Sequence, residues 1–176
     1  MGADPTGRGT RIGVVATLAL ATAAVILSIR NDRPYLIYNG SGSAPIGFYR
    51  IEYRSPERGE TVAVRPSAPL ANLVSAYRLL PSGVPLLKQV AAVGGDRVCR
   101  SDGVVFLNGN AVAEALDHDA AGRPLPAWEG CFTLFAGQFF LLQPHPYSFD
   151  SRYFGPVSEA QIIGVARPLW TWNPAE

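Results

Sequence analysis

Lysine, histidine, cysteine and methionine are all scarce in this chain of 176 residues. Charged residues make up only 16% of the chain and the net charge is +1, which excludes the basic surface typical of nucleic-acid-binding proteins. The cysteines, Cys99 and Cys131, have no CxxC spacing, and only His118 and His145 could join them as zinc ligands. The sequence therefore predicts no metal site, no cofactor and no nucleic-acid partner.

The composition favours a mostly-β fold. Fifteen prolines and eighteen glycines, with few segments of helical periodicity, indicate many turns, and the length suits one domain with an appendage. Asn108-Gly109 between apolar flanks predicts a type I′ hairpin within 104–112. Residues 69–80 are the one plausible helix, and 117–128 is predicted to be an exposed loop. Further strands are predicted at 62–64, 86–93, 139–142 and 162–165.

The N-terminal region contains an uncharged, alanine- and valine-rich stretch over 12–29, long enough for a helix that just spans a bilayer core of about 30 Å. We therefore predict a short cytoplasmic tail at 1–11, a transmembrane anchor at 12–30 and an extracytoplasmic domain at 31–176. A cleavable signal peptide is the alternative, but its small-residue site, Ala21-Thr22-Ala23, falls inside the apolar stretch. Arginines flank both ends, so charge alone does not decide the orientation.

Lys88 is the one lysine among fifteen basic residues, and it lies in a segment, 85–93, that otherwise has the character of a buried strand. Lysine can lose its proton when it is desolvated, whereas arginine cannot. Its position suggests a neutral amine that acts as a base. The alternative is a lysine whose ammonium group extends to solvent.

A possible nucleophile lies in the glycine- and serine-rich segment 39–49, which contains Ser41-Gly42-Ser43 followed by Pro45. Glycines allow a sharp turn and a close approach to substrate, and a serine in such a turn presents its hydroxyl and its own N–H to the same space. The alternative is an ordinary flexible linker.

Four motifs occur in one order along the chain: Ser41-Gly42-Ser43 with Pro45, Leu87-Lys88, Gly95-Asp96, and the segment 148–157. This series resembles the signal peptidase I family of membrane-anchored Ser/Lys proteases. The segments 43–49 and 148–155, together with 122–126, Trp128, Gly130 and Cys131, are most similar to its conjugative-transfer branch, the TraF-type peptidases that mature pilin. The resemblance implies antiparallel β-sheets or a partial barrel with a small β extension, after one N-terminal transmembrane helix.

The resemblance also assigns roles. It implies that Ser43 is the nucleophile, that Lys88 is its general base, and that the Ser41 hydroxyl lines the oxyanion hole beside the Ser43 N–H. Ser148 matches the serine that orients the lysine amine. Asp150 and Arg152 match a structural ion pair, and on an extended backbone such neighbours would share a face. An exposed pair contributing less than about 1 kcal/mol is the alternative.

The implied activity is cleavage of a membrane-borne precursor protein, a pilin, through an acyl-enzyme at the bacterial inner membrane, with the catalytic domain on the periplasmic side and the lipid bilayer as a partner. The family implies small residues such as alanine on the acyl side of the scissile bond. In this branch an amine can replace water in the final step and cyclise the product. In the periplasm Cys99 and Cys131 could form a disulfide, which would contribute about 3–4 kcal/mol; two separate thiols are the alternative.

Departures from the family pattern argue against general signal-peptide processing. Ala44 and Pro45 directly follow the serine, Gln89 replaces a basic residue, and Pro144-His145-Pro146-Tyr147 replaces a Gly-Asp-Asn-Arg element. General signal peptidase activity nevertheless stays an alternative, as do a non-catalytic β-domain of a secretion or conjugation assembly and a self-cleaving regulator of the LexA type. A triad of His145, Asp150 and a serine is disfavoured because prolines flank His145.

Overall fold

The computed structural model describes residues 15–16, 34–81 and 83–172 of the chain. The chain divides into two units, Met1–Tyr35 and Leu36–Glu176. The predicted cytoplasmic tail and all of the predicted anchor except Val15 and Ala16 lie outside the described residues. No helix within the described ranges has the length and hydropathy needed to span a membrane.

The described residues of the second unit form eleven strands, two α-helices and one 3-10 helix at Glu159–Gln161. The strands are β1 Leu36–Asn39, β2 Ile46–Glu52, β3 Thr61–Val64, β4 Leu86–Ala92, β5 Arg97–Ser101, β6 Val104–Leu107, β7 Asn110–Glu114, β8 Gly130–Thr133, β9 Gln138–Leu142, β10 Val157–Ser158 and β11 Ile162–Trp172. The helices are α1 Ala68–Ala76 and α2 Ser151–Phe154.

The strands make two antiparallel sheets. The larger has seven strands in the order β1-β2-β11-β3-β4-β9-β10, and the smaller has four in the order β7-β6-β5-β8. β11 lies between β2 and β3, so the strand that comes last along the described chain joins two that come early. The mostly-β, antiparallel fold class predicted from the sequence is confirmed.

Local turn chemistry determines the hairpin between β6 and β7. Asn108 and Gly109 have φ values of 51° and 87°, as a type I′ turn requires, and Leu107 pairs with Asn110. The predicted helix is also present, but it ends at Ala76 rather than at residue 80, because the chain turns at Arg78, whose φ is 52°. The 117–128 segment contains no strand or helix, as predicted.

The Gly95-Asp96 motif is a structural brace between the two sheets. The Asp96 carboxylate accepts hydrogen bonds from Arg58 at 2.6 Å, from the Val93 N–H at 2.8 Å and from the Asn108 amide at 2.8 Å. On the smaller sheet, a disulfide joins Cys99 of β5 to Cys131 of β8, which are paired in the strand register.

One face of the β1–β2–β11 ribbon exposes aromatic side chains. Tyr38 pairs with Phe48, and Phe48 pairs with Trp170 on β11. Trp170 is 73% exposed and Trp172 45% exposed, and their rings contact each other. In β2 the opposite face carries Tyr49, which is buried, so the alternation of the strand separates an apolar core face from this outer aromatic face.

Candidate active site

The proposed nucleophile lies in a short loop, 40–45, that connects β1 to β2. Asn39, the last residue of β1, is buried and organises this loop. Its side-chain amide donates to the carbonyls of Ser41, Ala44 and Pro45, at 3.0–3.1 Å. The segment is therefore an ordered turn between two paired strands, and the alternative of a flexible linker is wrong.

The Ser41 and Ser43 hydroxyls face each other, with 3.4 Å between their Oγ atoms. The Ser41 N–H and hydroxyl both donate to Asn39 Oδ1, at 3.1 and 2.8 Å. A hydroxyl has one proton, so Ser41 must turn from Asn39 before it can donate to an oxyanion. Ser43 is half-buried and thus accessible to a substrate from the cavity that it lines.

Lys88 is the third residue of β4 and is only 4% exposed. Strand alternation places it on the same face as Leu86 and Val90, two members of the largest apolar cluster. Its amine donates a hydrogen bond of 2.7 Å to Ser148 Oγ, and Ser148 is itself buried. The lysine side chain is therefore held inside the domain, and the alternative in which its head group reaches solvent is wrong.

Burial lowers the pKa of Lys88 from its ordinary 10.5 to about 8, because the ammonium form is poorly solvated there. The carboxylate of Asp150 opposes this decrease, and the guanidinium of Arg152 adds to it. With a pKa of about 8, roughly one molecule in ten carries the neutral amine at pH 7. The lysine can thus act as a base close to physiological pH.

Asp150 and Arg152 form a buried ion pair, with side chains 0% and 3% exposed and Arg152 Nε 2.8 Å from Asp150 Oδ1. The prediction that they meet along an extended backbone is wrong, because Asp150 instead caps helix α2, accepting the Arg152 N–H. The remaining donors of the guanidinium reach the carbonyls of Glu114, Pro146 and Gln143. A solvated surface bridge is excluded, and the pair ties the segment that carries Ser148 to its surroundings.

Ser43, Ser41, Lys88 and Ser148 all line one cavity of about 280 Å³. Among the described residues, no hydrogen bond joins Lys88 to Ser43; the lysine bonds to Ser148, and Ser43 contacts Ser41. Hydrogen bonds of a catalytic pair are often long without substrate and shorten in the complex. The structure brings all four predicted residues to one cavity. A direct hydrogen bond between Lys88 and Ser43 would have to form there during the reaction.

The histidine triad considered from the sequence is not formed. His145 is exposed and lies at the rim of the same cavity, where its Nδ1 accepts the Tyr147 N–H at 3.2 Å. The Asp150 carboxylate is occupied by Arg152 and by the Gln143 N–H. His118 lies in the 117–128 loop, paired with Pro124. In the described part of the chain no three His, Cys, Asp or Glu side chains are grouped to hold a metal ion.

Two buried polar residues around the site escaped the sequence reasoning. Asn39 holds the serine loop, and the Gln143 amide donates to the Leu87 carbonyl at 3.3 Å, beside Lys88. Asn39 directly precedes the glycine- and serine-rich turn, which is a usable signal, since asparagine commonly bonds to backbone groups two residues ahead. For Gln143 the sequence holds no comparable signal, because its partner, Leu87, is 56 residues away along the chain.

Comparison with known proteins shows which sequences and structures this chain is similar to. Residues 10–172 match the family described as signal peptidase, peptidase S26. The plasmid transfer protein TraF of Escherichia coli is 33% identical over 174 residues, covering 92% of this chain and 93% of that protein. The conjugal transfer protein TraF of Agrobacterium fabrum is 33% identical over 171 residues, covering 91% and 94%. A crystal structure of a signal peptidase I from Enterococcus faecalis has 24% identity and a TM-score of 0.38, covering 65% of this chain and 98% of that one.

Proposed function

This chain belongs to the signal peptidase S26 family, and from that premise we propose that it is a serine endopeptidase with a Ser43/Lys88 dyad. The observation that carries the proposal is the environment of Lys88. A buried lysine with a pKa of about 8, hydrogen-bonded to Ser148, lines the same cavity as a serine held in an ordered loop. That combination supplies a base and a nucleophile.

In the proposed reaction, the neutral Lys88 amine takes the proton of the Ser43 hydroxyl while Ser43 Oγ attacks the substrate carbonyl. The resulting oxyanion accepts hydrogen bonds from the Ser43 N–H and from the Ser41 hydroxyl once the latter leaves Asn39. Lys88 then passes its proton to the departing amine, which leaves an acyl-enzyme ester on Ser43. A water molecule or an amine then attacks the ester carbonyl while Lys88 takes its proton. The bond from the acyl carbon to Ser43 Oγ breaks, and Lys88 returns the proton to Ser43 Oγ.

Ser148 has a supporting role in this scheme. Its hydroxyl accepts a hydrogen bond from the Lys88 amine in the described structure, and it can donate a hydrogen bond to the neutral amine or accept one from it as the reaction proceeds. This hydrogen bond fixes the direction of a long, flexible side chain. The lysine is thereby held at the cavity that Ser43 also lines.

For the substrate, we propose a membrane-borne pilin precursor of a conjugation system, cut after small residues. Two kinds of support favour this substrate over general signal peptides. Relatives that match more than nine-tenths of the chain are named as plasmid or conjugal transfer proteins. The motif Ser43-Ala44-Pro45 and the Pro144–Tyr147 segment depart from general signal peptidases.

The decisive experiment follows precursor processing by mass spectrometry with the wild-type chain and with Ser43→Ala. We expect the wild type to shorten the precursor and Ser43→Ala to leave it intact at an unchanged protein level. Continued processing by Ser43→Ala would exclude this nucleophile, and no processing by either would favour a non-catalytic assembly domain. The same spectra distinguish the final step: a cyclised product has the mass of the linear one minus water, and a linear product with a free carboxylate excludes cyclisation.

For location, we propose a single-pass protein of the bacterial inner membrane with this domain on the periplasmic side. The apolar stretch at 12–29 favours an anchor, the Cys99–Cys131 disulfide suits an oxidising compartment, and the outer aromatic face suits a lipid headgroup region. We expect the chain to sediment with membranes after a carbonate wash and to be degraded by protease added to spheroplasts. A soluble chain, or a domain protected from that protease, would contradict the proposal.

A further inference from the structure

A second cavity of about 280 Å³ lies directly beside the catalytic cavity. The two cavities share Leu79, Tyr147 and Phe149 in their walls. Tyr147 and Phe149 are the chain neighbours of Ser148, the residue bonded to the Lys88 amine. A polypeptide that occupies the catalytic cavity therefore lies beside residues that also line the second one.

The loop residues 119–125, several of which line this second cavity, are held in place by hydrogen bonds. Arg123 donates to the carbonyls of Ala76 and Tyr77, at 3.2 and 3.1 Å, which satisfies acceptors left free at the end of helix α1. Its guanidinium also lies 5.1 Å from the centre of the Tyr77 ring. The neighbouring Asp119 accepts the N–H groups of Ala121 and Arg123, both at 2.9 Å. The loop is thereby fixed against the helix.

Both charged side chains in the lining, and the hydroxyls of Tyr153 and Tyr77, already have partners. Asp119 and Arg123 form an ion pair of 2.6 Å, so their charges neutralise each other. The Tyr153 hydroxyl accepts the Leu116 N–H at 3.0 Å, and the Tyr77 hydroxyl donates to the Pro124 carbonyl. A charged side chain in this cavity would lose its hydration without gaining an ionic partner, which is unfavourable. An apolar side chain has no such desolvation penalty.

We propose that this cavity is a second substrate subsite, which takes one large, uncharged, apolar side chain of the polypeptide cleaved at Ser43. The inference rests on the proposed function, because its occupant is the substrate of the dyad. Continuity with the catalytic cavity favours a substrate side chain over a separate ligand. Leucine and phenylalanine side chains match the lining of Leu79, Leu116, Leu125 and Phe149.

The test uses the full chain carrying Ser43→Ala, so that bound peptide is not consumed, and calorimetric affinities for short alanine-rich peptides. A single leucine or phenylalanine is moved through the peptide one position at a time. We expect that at one position the large side chain raises affinity by about tenfold or more over alanine. An aspartate at that position should give no gain.

The cavity is then filled by Ala121→Trp, with Ala111→Trp as the matched control. Both alanines are exposed, and Ala111 lies on β7, away from the lining of either cavity. We expect Ala121→Trp to abolish the gain and Ala111→Trp to retain it. The proposal is overturned if no position gives a gain, or if the gain survives in Ala121→Trp. Either result leaves the processing assay of Ser43→Ala unaffected, so a failure of the subsite is distinguishable from a failure of the dyad.

Discussion

Replacing Lys88 with arginine is expected to lower kcat/KM for precursor cleavage by about 10³-fold or more, within the range that general-base catalysis contributes. Arginine keeps the positive charge but does not release its proton in a protein, so it cannot accept one from Ser43. Lys88→Met should lose activity to the same extent without placing a charge in the cavity. Initial rates on purified variants, with near-ultraviolet circular dichroism as the folding control, provide the measurement. Full activity in Lys88→Arg would rule out a neutral-amine base.

The pH profile tests the same residue without a substitution. With a pKa of about 8, the neutral fraction of Lys88 rises from about one-tenth at pH 7 to about nine-tenths at pH 9. We therefore expect kcat/KM to rise about tenfold across this interval and then to level off. A flat profile from pH 6 to 10 would contradict a lysine base, whatever the fate of Ser43.

The same pKa has a consequence for stability. Between about pH 8 and 10.5 the unfolded chain binds more protons at Lys88 than the folded chain does, so its contribution to folding stability rises with pH through this window. Below pH 8 the buried ammonium costs about 3 kcal/mol relative to the neutral form. Lys88→Met should accordingly be more stable than the wild type at pH 7, by less than this amount because Ser148 loses its partner, and the difference should shrink above pH 10.

The second large effect concerns Arg152. Arg152→Met should lower the free energy of unfolding by about 3–5 kcal/mol, because it leaves the fully buried Asp150 carboxylate without its cation. It also removes donors from the carbonyls of Glu114, Pro146 and Gln143. Urea unfolding monitored by tryptophan fluorescence measures the loss.

Arg50→Met is the matched control for that experiment. Arg50 pairs with Glu52 at 2.7 Å, but its side chain is 59% exposed, and exposed pairs contribute about 1 kcal/mol or less. The double variant Asp150→Leu/Arg152→Met should recover part of the stability lost in Arg152→Met, since it removes the stranded charge. Equal, small losses in Arg152→Met and Arg50→Met would show that the buried pair is not a structural brace.

Local patterns in the sequence were sufficient for part of the fold. The Asn108-Gly109 turn, the β4 segment and the start of β11 each carry their signal within a few residues. β1, β2, β5, β8 and β10 were not predicted, because their short segments gain a buried face only from partners elsewhere in the chain. The prediction that Asp150 and Arg152 meet along an extended backbone was wrong for a related reason. The sequence does not show that Asp150 caps a helical turn.

In the candidate site, too, the sequence predicts the features that depend on nearby residues and misses those that depend on distant ones. The composition alone drew attention to Lys88, since one lysine among fifteen basic residues lies in an apolar strand. In the structure burial lowers the pKa of Lys88 to about 8, and the Asp150 carboxylate opposes this decrease. The effect of Asp150 depends on how the N-cap of helix α2 is placed relative to Lys88 on β4. A sequence read in isolation does not contain it.

The place of β11 in the larger sheet has a consequence for when activity can begin during synthesis. The hairpin that presents Ser43 emerges from the ribosome early, but β2 and β3 remain without their shared neighbour until residues 162–172 have been made. Pairing across such a long stretch of chain is slow compared with local folding. Newly made molecules should therefore pass through an interval in which serine and lysine are both present yet not arranged for proteolysis.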